Sequence, residues 1–479
     1  MEGLRKLLGN SFSLLLNRLT QSITTFILVA SIARILGAYE LGQYMLAFSY
    51  YYVFMTLASQ GFKTLFTREL ARNPTNTPAY LISGTFLQLL FSIAGYILLM
   101  IIVFLLPYSR DTSTVCYVFG LAIIPFSLSN VTEAIFQARE KMHLIAISTI
   151  PVYILRVVLI IWIMNLKHDI NLVSAIMVAS ESLIFFIEWY LVTQFVKYKW
   201  QLDWKFMWDT TKASGAFIVI EGISVIGYRL QVVILSLLGG EIVVGLYGAV
   251  AQLMQPFQII SHSLVLAIFP KMSQAIDEGK DKQRQITQTA IEILLIVALP
   301  LIVGLAFVGK DLLVLLYHDP SFAQAKVALN LFAFGLIASS FVRPLSYLLV
   351  ANGFEKVNLR QVFITTIIDG FLSIVLVYQY KLNGAASTGL IIDFIALFIY
   401  LYEVSRRLFT LNLLSMIYRP LLISVLMVPV FLLLQKFNLN IIFTLIIATL
   451  SYFLFIGFLG IYLVYHSDNE WSKLLLKRK

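Results

Sequence analysis

The chain has 479 residues, of which 59% are hydrophobic and only 13% charged. A soluble globular domain carries roughly twice that charge, so this class is excluded. A net charge of +10 raises the question of a nucleic-acid partner. The placement of the charges along the chain answers it in favour of membrane topology, and no nucleic acid is expected as a partner.

The apolar residues arrive in long runs. Leu87 to Leu106 and Ile441 to Tyr465 contain no charge. About 20 apolar residues, rising 1.5 Å each, cross a hydrocarbon layer of ~30 Å. In lipid only helices and closed barrels satisfy their own backbone. Barrel strands alternate apolar and polar residues, and these runs do not, so the expected class is an all-α integral membrane protein. The single cysteine, Cys116, rules out an internal disulfide. Arg5 and Lys6 lead directly into a long first span without a small-residue cleavage site, which reads as a retained span.

In chain order, spans are expected at 11–33, 41–62, 80–106, 114–137, 143–165, 171–196, 214–238, 243–269, 288–308, 327–351, 361–380, 384–404, 415–435 and 440–465, 14 in all. With the N-terminus inside, the inner segments carry 24 Lys and Arg and the outer segments 7. This bias orients membrane proteins with the basic side in the cytoplasm. Both termini are therefore expected in the cytoplasm and the number of spans is even. The outer loops are short and leave no room for a large external active site.

The chain resembles itself. Leu36-Gly37 followed by Gly42-Gln43-Tyr44 recurs as Leu238-Gly239 followed by Gly245-Leu246-Tyr247, and Glu140-Lys141 before Leu144 recurs as Glu355-Lys356 before Leu359. Two parallel six-helix lobes around a central cavity are expected, at 1–200 and 201–410, with two further helices and a basic tail at 411–479. Repeats of this kind place the substrate path at their interface.

Charges inside a span cost about 2.5–3.5 kcal/mol each on insertion scales and need protein, water or a partner. Arg18, Arg156, Arg229 and Arg343 fall inside spans, as do Glu133, Glu181, Glu188, Glu221, Glu292, Asp369 and Asp393. In the first span Asn10, Ser13, Asn17, Gln21 and Thr24 recur at steps of three or four, which is one helical face, and Arg18 widens it. Span seven carries Glu221, Ser224, Tyr228, Arg229 and Gln231; span eight carries Gln255, Gln258 and His262; span two carries Tyr44, Tyr50, Tyr51 and Tyr52. The polar spans are thus one, two, seven and eight, which are equivalent under the internal repeat. Candidate cavity residues are Arg18, Arg229, Asn17, Gln21, Tyr51, Tyr228, Gln231 and Gln255, with Glu221 and His262 as gating or coupling groups. The tyrosines also read as interfacial anchors, and His262 also reads as a hydrogen-bonded core histidine. Arg156 with Glu181, and Arg343 with Asp369, lie at matching depths and read as structural pairs. Glu133 and Glu292, near the cytoplasmic ends, read as snorkelling or capping groups. No metal-ligand cluster, nucleotide loop or Ser-His-Asp order is present in the sequence, and no enzyme activity is expected.

Several short segments resemble bacterial polysaccharide flippases: Ser31 to Gly37 with Gly42 to Tyr44, Gly61 with Arg68 to Ala71, Val244 to Tyr247, and Phe269 to Ser273. The resemblance covers essentially the whole chain. It implies the multidrug, oligosaccharidyl-lipid and polysaccharide exporter superfamily, whose two six-helix lobes rock between inward-open and outward-open states. The polysaccharide branch moves undecaprenyl-diphosphate-linked oligosaccharide from the cytoplasmic to the outer leaflet of the bacterial inner membrane. The partners implied are a lipid-linked glycan, membrane lipids and other polysaccharide-assembly membrane proteins. No cofactor is implied beyond a coupling proton or sodium ion or the membrane potential. In one respect the chain departs from the pattern. Arg229 is followed by Leu230 and Gln231, where family members often place an acidic residue. A precursor flippase for peptidoglycan and a cation or drug exporter share this fold. The drug exporter calls for an acidic cavity, which two cavity arginines do not favour.

Overall fold

A computed structural model of the protein describes residues 2–197, 200–437 and 439–466; Lys199 and the basic tail residues Lys473, Lys477, Arg478 and Lys479 lie outside the described residues. Arg5, Lys6, Ser224 and Tyr228 lie on helices, but their side chains are outside the described set.

Every described element is helical. In order these are α1 (Glu2–Ile35), α2 (Ala38–Met55), α3 (Gly61–Arg72), the short α4 (Thr77–Ala79), α5 (Thr85–Leu105), α6 (Arg110–Gly120), α7 (Ile123–Ala138), α8 (Met142–Lys167), α9 (Ile170–Thr193) and α10 (Trp204–Gly239). They continue with α11 (Glu241–Glu278), α12 (Lys280–Tyr317), α13 (Lys326–Ala351), α14 (Glu355–Arg407), α15 (Leu413–Lys436) and α16 (Ile441–His466). One π-turn, Thr56–Gln60, joins α2 to α3, and another, Tyr80–Gly84, joins α4 to α5. The expected fourth span is two helices, α6 and α7, meeting just before Pro125.

Among the described residues, eleven helices are long and apolar enough to cross a membrane, and α10, bent by 42° between 217–227 and 229–239, brings the number to twelve. The expected count of 14 is not reached by this measure. Two features account for the difference. Residues 38–72, which contain the second span expected at 41–62, are not among the eleven, and α14 counts once. Yet α14 is two helices joined at Lys381, whose φ of 48° and ψ of −117° are not helical. A Cβ on Gly384 would come within 2.0 Å of the Leu376 carbonyl, so the two halves fold tightly back on each other there.

The chain divides into two compact units, 1–252 with 369–385, and 253–368 with 386–479. These boundaries follow contacts and differ from the symmetry-based boundaries at 200 and 410.

Unit 1 gathers its loops at two ends. At one end Thr112 donates to Glu241 Oε1 (2.7 Å) and accepts from Gln43 (3.1 Å), and Tyr108 bonds both Tyr50 (2.9 Å) and Ser236 (2.9 Å). At the other end Lys63 pairs with Glu133, Arg139 donates to the Pro74 carbonyl (2.7 Å) and Thr77 (2.9 Å), the Met142 amide donates to Asn10 (3.3 Å), and the Asp203 amide donates to Ser83 (2.9 Å). The second end is the one richer in Lys and Arg. Its loops are those that the alternation of inner and outer segments places together. Glu133, read from sequence as a snorkelling or capping group, is thus an ion-pair partner.

Among the described residues of unit 1, the buried charges Arg156, Glu181 and Glu188 each have a partner within the unit. Arg156 Nη2 meets Glu181 Oε1 at 2.6 Å, joining α8 to α9 as the matched depths suggested. Glu188, fully buried, accepts from Thr132 (2.6 Å) and Ser148 (3.0 Å), which ties α9 to α7 and α8. The second expected pair divides between the units: Asp369 in unit 1 accepts from Ser373 (3.3 Å), and Arg343 in unit 2 donates to Gln258 (3.0 Å).

Removing one member of a buried pair strands the other charge and costs about 3–5 kcal/mol. Arg156→Ala and Glu181→Ala are each expected to lower the amount of folded protein in the membrane, measured by fluorescence-detected size exclusion. The double substitution is expected to recover part of the loss, and strictly additive losses would reject the coupling.

Unit 2 packs α12 against α13 and α15 around Ile291, Leu295, Phe341, Leu345 and Met416. At its edge Glu403, buried, is held by Arg360 and by Arg407 (2.6 Å). The Tyr452 hydroxyl of α16 donates to the Ile296 carbonyl of α12, which anchors the last described helix.

Candidate functional site

The repeated glycine motif marks one end of the candidate site. Gly37 and Gly240 both have positive φ, 103° and 83°, a region that costs glycine little, and each precedes a helix. Gly42 and Gly245 follow five residues later in each copy. The structural counterpart of Gly37 is therefore Gly240, one residue beyond the Gly239 suggested by sequence matching. The two copies meet. A Cβ on Gly42 would lie 1.8 Å from the Glu241 carbonyl oxygen, and one on Gly245 would lie 1.9 Å from the Ala38 carbonyl oxygen. Each glycine thus admits the first turn of the opposite helix, in a reciprocal arrangement. The Gln43, Thr112 and Glu241 hydrogen bonds lie beside this crossing.

The N-terminal half of α1 is thinly covered. It rests on α8, where Asn17 Oδ1 accepts from Thr149 (2.8 Å). The hydroxyls of Ser13, Thr20 and Thr24 bond carbonyls of their own helix. Arg18 and Gln21 are exposed, and so are Leu15, Leu16, Leu19 and Ile23. The polar positions of one face thus divide between packing on α8 at Asn10 and Asn17 and an open part at Arg18 and Gln21.

On α10, Glu221 is exposed and Arg229 lies just beyond the bend. The Arg229 guanidinium lies 4.7 Å from the Tyr52 ring centroid and 5.1 Å from that of Phe48. These are cation–π distances, and the two rings fix the plane of the cation. Phe48 was missed in the sequence, and Tyr52 was noted among the tyrosines of span two but not among the candidate cavity residues, although their spacing of four puts them on one helical face. Tyr51, singled out instead, is 4% exposed and packs edge-on against Phe119 and Phe126. One residue along a helix is a rotation of about 100°, and that step separates the core-facing tyrosine from the one beside Arg229.

Gln231 is also engaged. It donates to the Ala385 carbonyl (2.6 Å) and accepts from Tyr247 (2.6 Å), tying α10 to α11 and to the hairpin of α14. In unit 2, Gln255 is exposed and His262 is half-buried, both on α11. Tyr228 has no described side chain. Among the described residues, no group of three or more His, Cys, Asp or Glu is placed to hold a metal ion.

The profile of the polysaccharide biosynthesis protein family matches residues 7–276. The chain belongs to this family. The profile described as lipid II flippase MurJ matches residues 216–453. The capsular polysaccharide biosynthesis protein CapF of Staphylococcus aureus is 23% identical over 318 residues, spanning 64% of this chain and 79% of that protein. Among solved structures, lipid II flippase MurJ in an inward closed conformation superposes with a TM-score of 0.75 at 16% identity, covering 95% of this chain and all of that one. An inward-facing multidrug resistance transporter of the MATE family gives a TM-score of 0.64 at 14% identity, covering 82% of this chain and 94% of that one. The fold is that of the exporter superfamily inferred from the short motifs, and family and fold agree on a multi-span membrane protein of the flippase and transporter type.

Proposed function

We propose that the protein is a flippase that carries an undecaprenyl-diphosphate-linked oligosaccharide from the cytoplasmic to the outer leaflet of a bacterial inner membrane by alternating access. The observation that carries this reading is the basic and aromatic character of unit 1: Arg229 held over Phe48 and Tyr52, with Arg18 and Gln21 on the open part of α1. Such a cargo needs a cation for its diphosphate, amides and ring faces for its sugars, and a lateral route for its lipid. An arginine offers a planar fork that grips phosphate through two parallel hydrogen bonds.

Arg18 lies about seven residues inside the cytoplasmic end of its span, or ~10 Å deep at 1.5 Å per residue. In this mechanism Arg18 receives the diphosphate and Arg229 holds it during the transition. Glu221, at the depth of Arg18 in the repeat-related span, neutralises it in the empty carrier, so cargo displaces a carboxylate. Gln255 contributes to cargo contact and His262 to gating or coupling. The energy comes from a proton or sodium gradient or from the membrane potential. The lobes of the mechanism are the repeat-related segments 1–200 and 201–410, with 411–479 appended, in a 14-span arrangement with both termini cytoplasmic. Other polysaccharide-assembly membrane proteins supply and consume the cargo.

The match to the lipid II flippase profile over 216–453 favours one second reading, a peptidoglycan-precursor cargo that shares the diphosphate and polyprenyl parts. A binding measurement on purified protein separates the readings. Lipid-linked oligosaccharide is expected to bind and to be displaced by undecaprenyl diphosphate, with lipid II and a cationic dye binding more weakly. Preferential binding of lipid II selects the second reading, and preferential binding of the dye rejects both.

Topology is tested by cysteine labelling. The native Cys116 is buried and gives a low background. Lys167→Cys and Lys436→Cys are expected to react with an impermeant maleimide in intact cells, and Lys282→Cys only after lysis. Labelling of all three from one side would sink the 14-span arrangement.

A further inference from the structure

We infer that unit 2 carries a second binding site, separate from the cargo path, for the phosphate headgroup of an anionic membrane lipid beside Arg284. A cavity of about 520 Å³ opens there. Arg284 and Gln288 of α12 line it, with Thr410 and Asn412 of the connection after α14 and Leu413 and Leu414 at the start of α15.

The lining suits a phosphate. It contains one guanidinium, two side-chain amides and a hydroxyl, and no carboxylate. Arg284 is not committed elsewhere in a way that would close the site. Its Nη1 lies 3.5 Å from Asp281, but that carboxylate is 96% exposed, and an exposed pair of this kind is worth little in water. Its Nε is buried with no hydrogen-bond partner among the described residues. Beneath it the Phe409 ring lies 5.5 Å from the guanidinium carbon and restrains the plane of the fork.

The lining also suits a lipid better than a free phosphate. Leu413 and Leu414 form an apolar wall, and Leu414 is 81% exposed. That wall continues along α15 through exposed Tyr418, Leu421, Leu422 and Val425, the face that an acyl chain would cover. The polar groups and the apolar wall therefore meet at one place, as a headgroup and a chain do. This is also the side of unit 2 that the Lys and Arg distribution assigns to the cytoplasm, with Arg406 and Arg419 in the flanking sequence. Basic clusters at that interface attract anionic lipids.

The test uses the purified full-length protein in neutral detergent, with thermal unfolding followed against added ligand. Dioleoyl-phosphatidylglycerol is expected to raise the unfolding midpoint in a saturable way, and dioleoyl-phosphatidylcholine and glycerol 1-phosphate to have little effect. Arg284→Gln is expected to weaken the phosphatidylglycerol response about tenfold, the loss of one charge-assisted phosphate contact. Gln288→Leu reads the same site should Arg284→Gln lower the yield of folded protein. Both variants are expected to bind lipid-linked glycan like the wild type, because neither touches Arg18 or Arg229. An unchanged response in both variants, or equal stabilisation by phosphatidylcholine, would overturn the site. Glycerol 1-phosphate acting as strongly as the lipid would overturn its assignment to a lipid.

Discussion

Arg229→Ala is expected to reduce glycan export at least tenfold while the protein remains in the membrane at normal abundance. Hydrogen bonds to a charged partner contribute about 1.5–3 kcal/mol each, and about 1.4 kcal/mol is a factor of ten. Losing a bidentate grip on a diphosphate therefore exceeds tenfold in cargo affinity. Arg18→Ala is expected to act similarly, at the step of cargo capture. Arg→Lys at either position is expected to keep only part of the activity, because an ammonium cannot reproduce the fork. The rings beside Arg229 supply a more selective variant. Tyr52→Leu keeps an apolar surface but removes the ring 4.7 Å from the guanidinium, and is expected to give an intermediate loss. Export is read as surface glycan in a strain that lacks its own flippase, with membrane abundance measured in parallel. A loss of abundance in step with the loss of export would mean that the arginines tie helices together and do not handle cargo.

Gly42→Leu and Gly245→Leu are expected to abolish export through a different step. In the present conformation even a methyl group at Gly42 would come within 1.8 Å of a backbone oxygen of Glu241. Nonbonded carbon contacts are optimal at roughly 3.5–4.0 Å, so the crossing of α2 and α11 cannot persist with a side chain there. The variants are expected to hold this end apart. Thr112 is fully buried beside the crossing, and Thr112→Cys in the otherwise native protein is expected to label slowly. In the Gly42→Leu background its labelling by an impermeant reagent is expected to accelerate at least tenfold. Unchanged labelling together with normal export would show that the crossing need not form during transport.

The fold class was legible because it rests on run length. A chain with uncharged stretches such as 441–465 has few alternatives to spanning helices. Span seven was harder to see because α10 bends at the polar stretch around Arg229, so no single straight apolar run covers it. Residues 38–72 are broken by a π-turn, whereas the break in α14 at Lys381 falls where the sequence separates the spans expected at 361–380 and 384–404. The Arg156 and Glu181 pair could be read from matched depth, because both lie mid-span in adjacent helices. Arg343 and Asp369 have the same signature yet fall in different units with other partners, and depth alone carries no information on rotation.

The candidate site was legible in part for the same reason. Polar residues inside spans pointed to α1 and α10, but the rotation that decides between core and open face is a tertiary property. It placed Tyr51 in the core, engaged Asn17 and Gln231 with neighbouring helices, and brought Phe48 and Tyr52 to Arg229. The glycine repeat was visible in the sequence, whereas its reciprocal packing was not, because nothing local indicates that the two copies meet each other.

Reconstitution shows whether this chain alone moves a lipid-linked diphosphate glycan across a bilayer. Purified protein is placed in liposomes carrying a fluorescent undecaprenyl-diphosphate oligosaccharide, and a membrane-impermeant glycosidase reports the fraction on the outer leaflet. The wild type is expected to make nearly all of the glycan accessible over time, while the Arg18→Ala, Arg229→Ala double variant leaves about half protected, as in protein-free liposomes. Equal protection with the wild type and with empty liposomes, under an imposed proton or sodium gradient and membrane potential, would contradict the account.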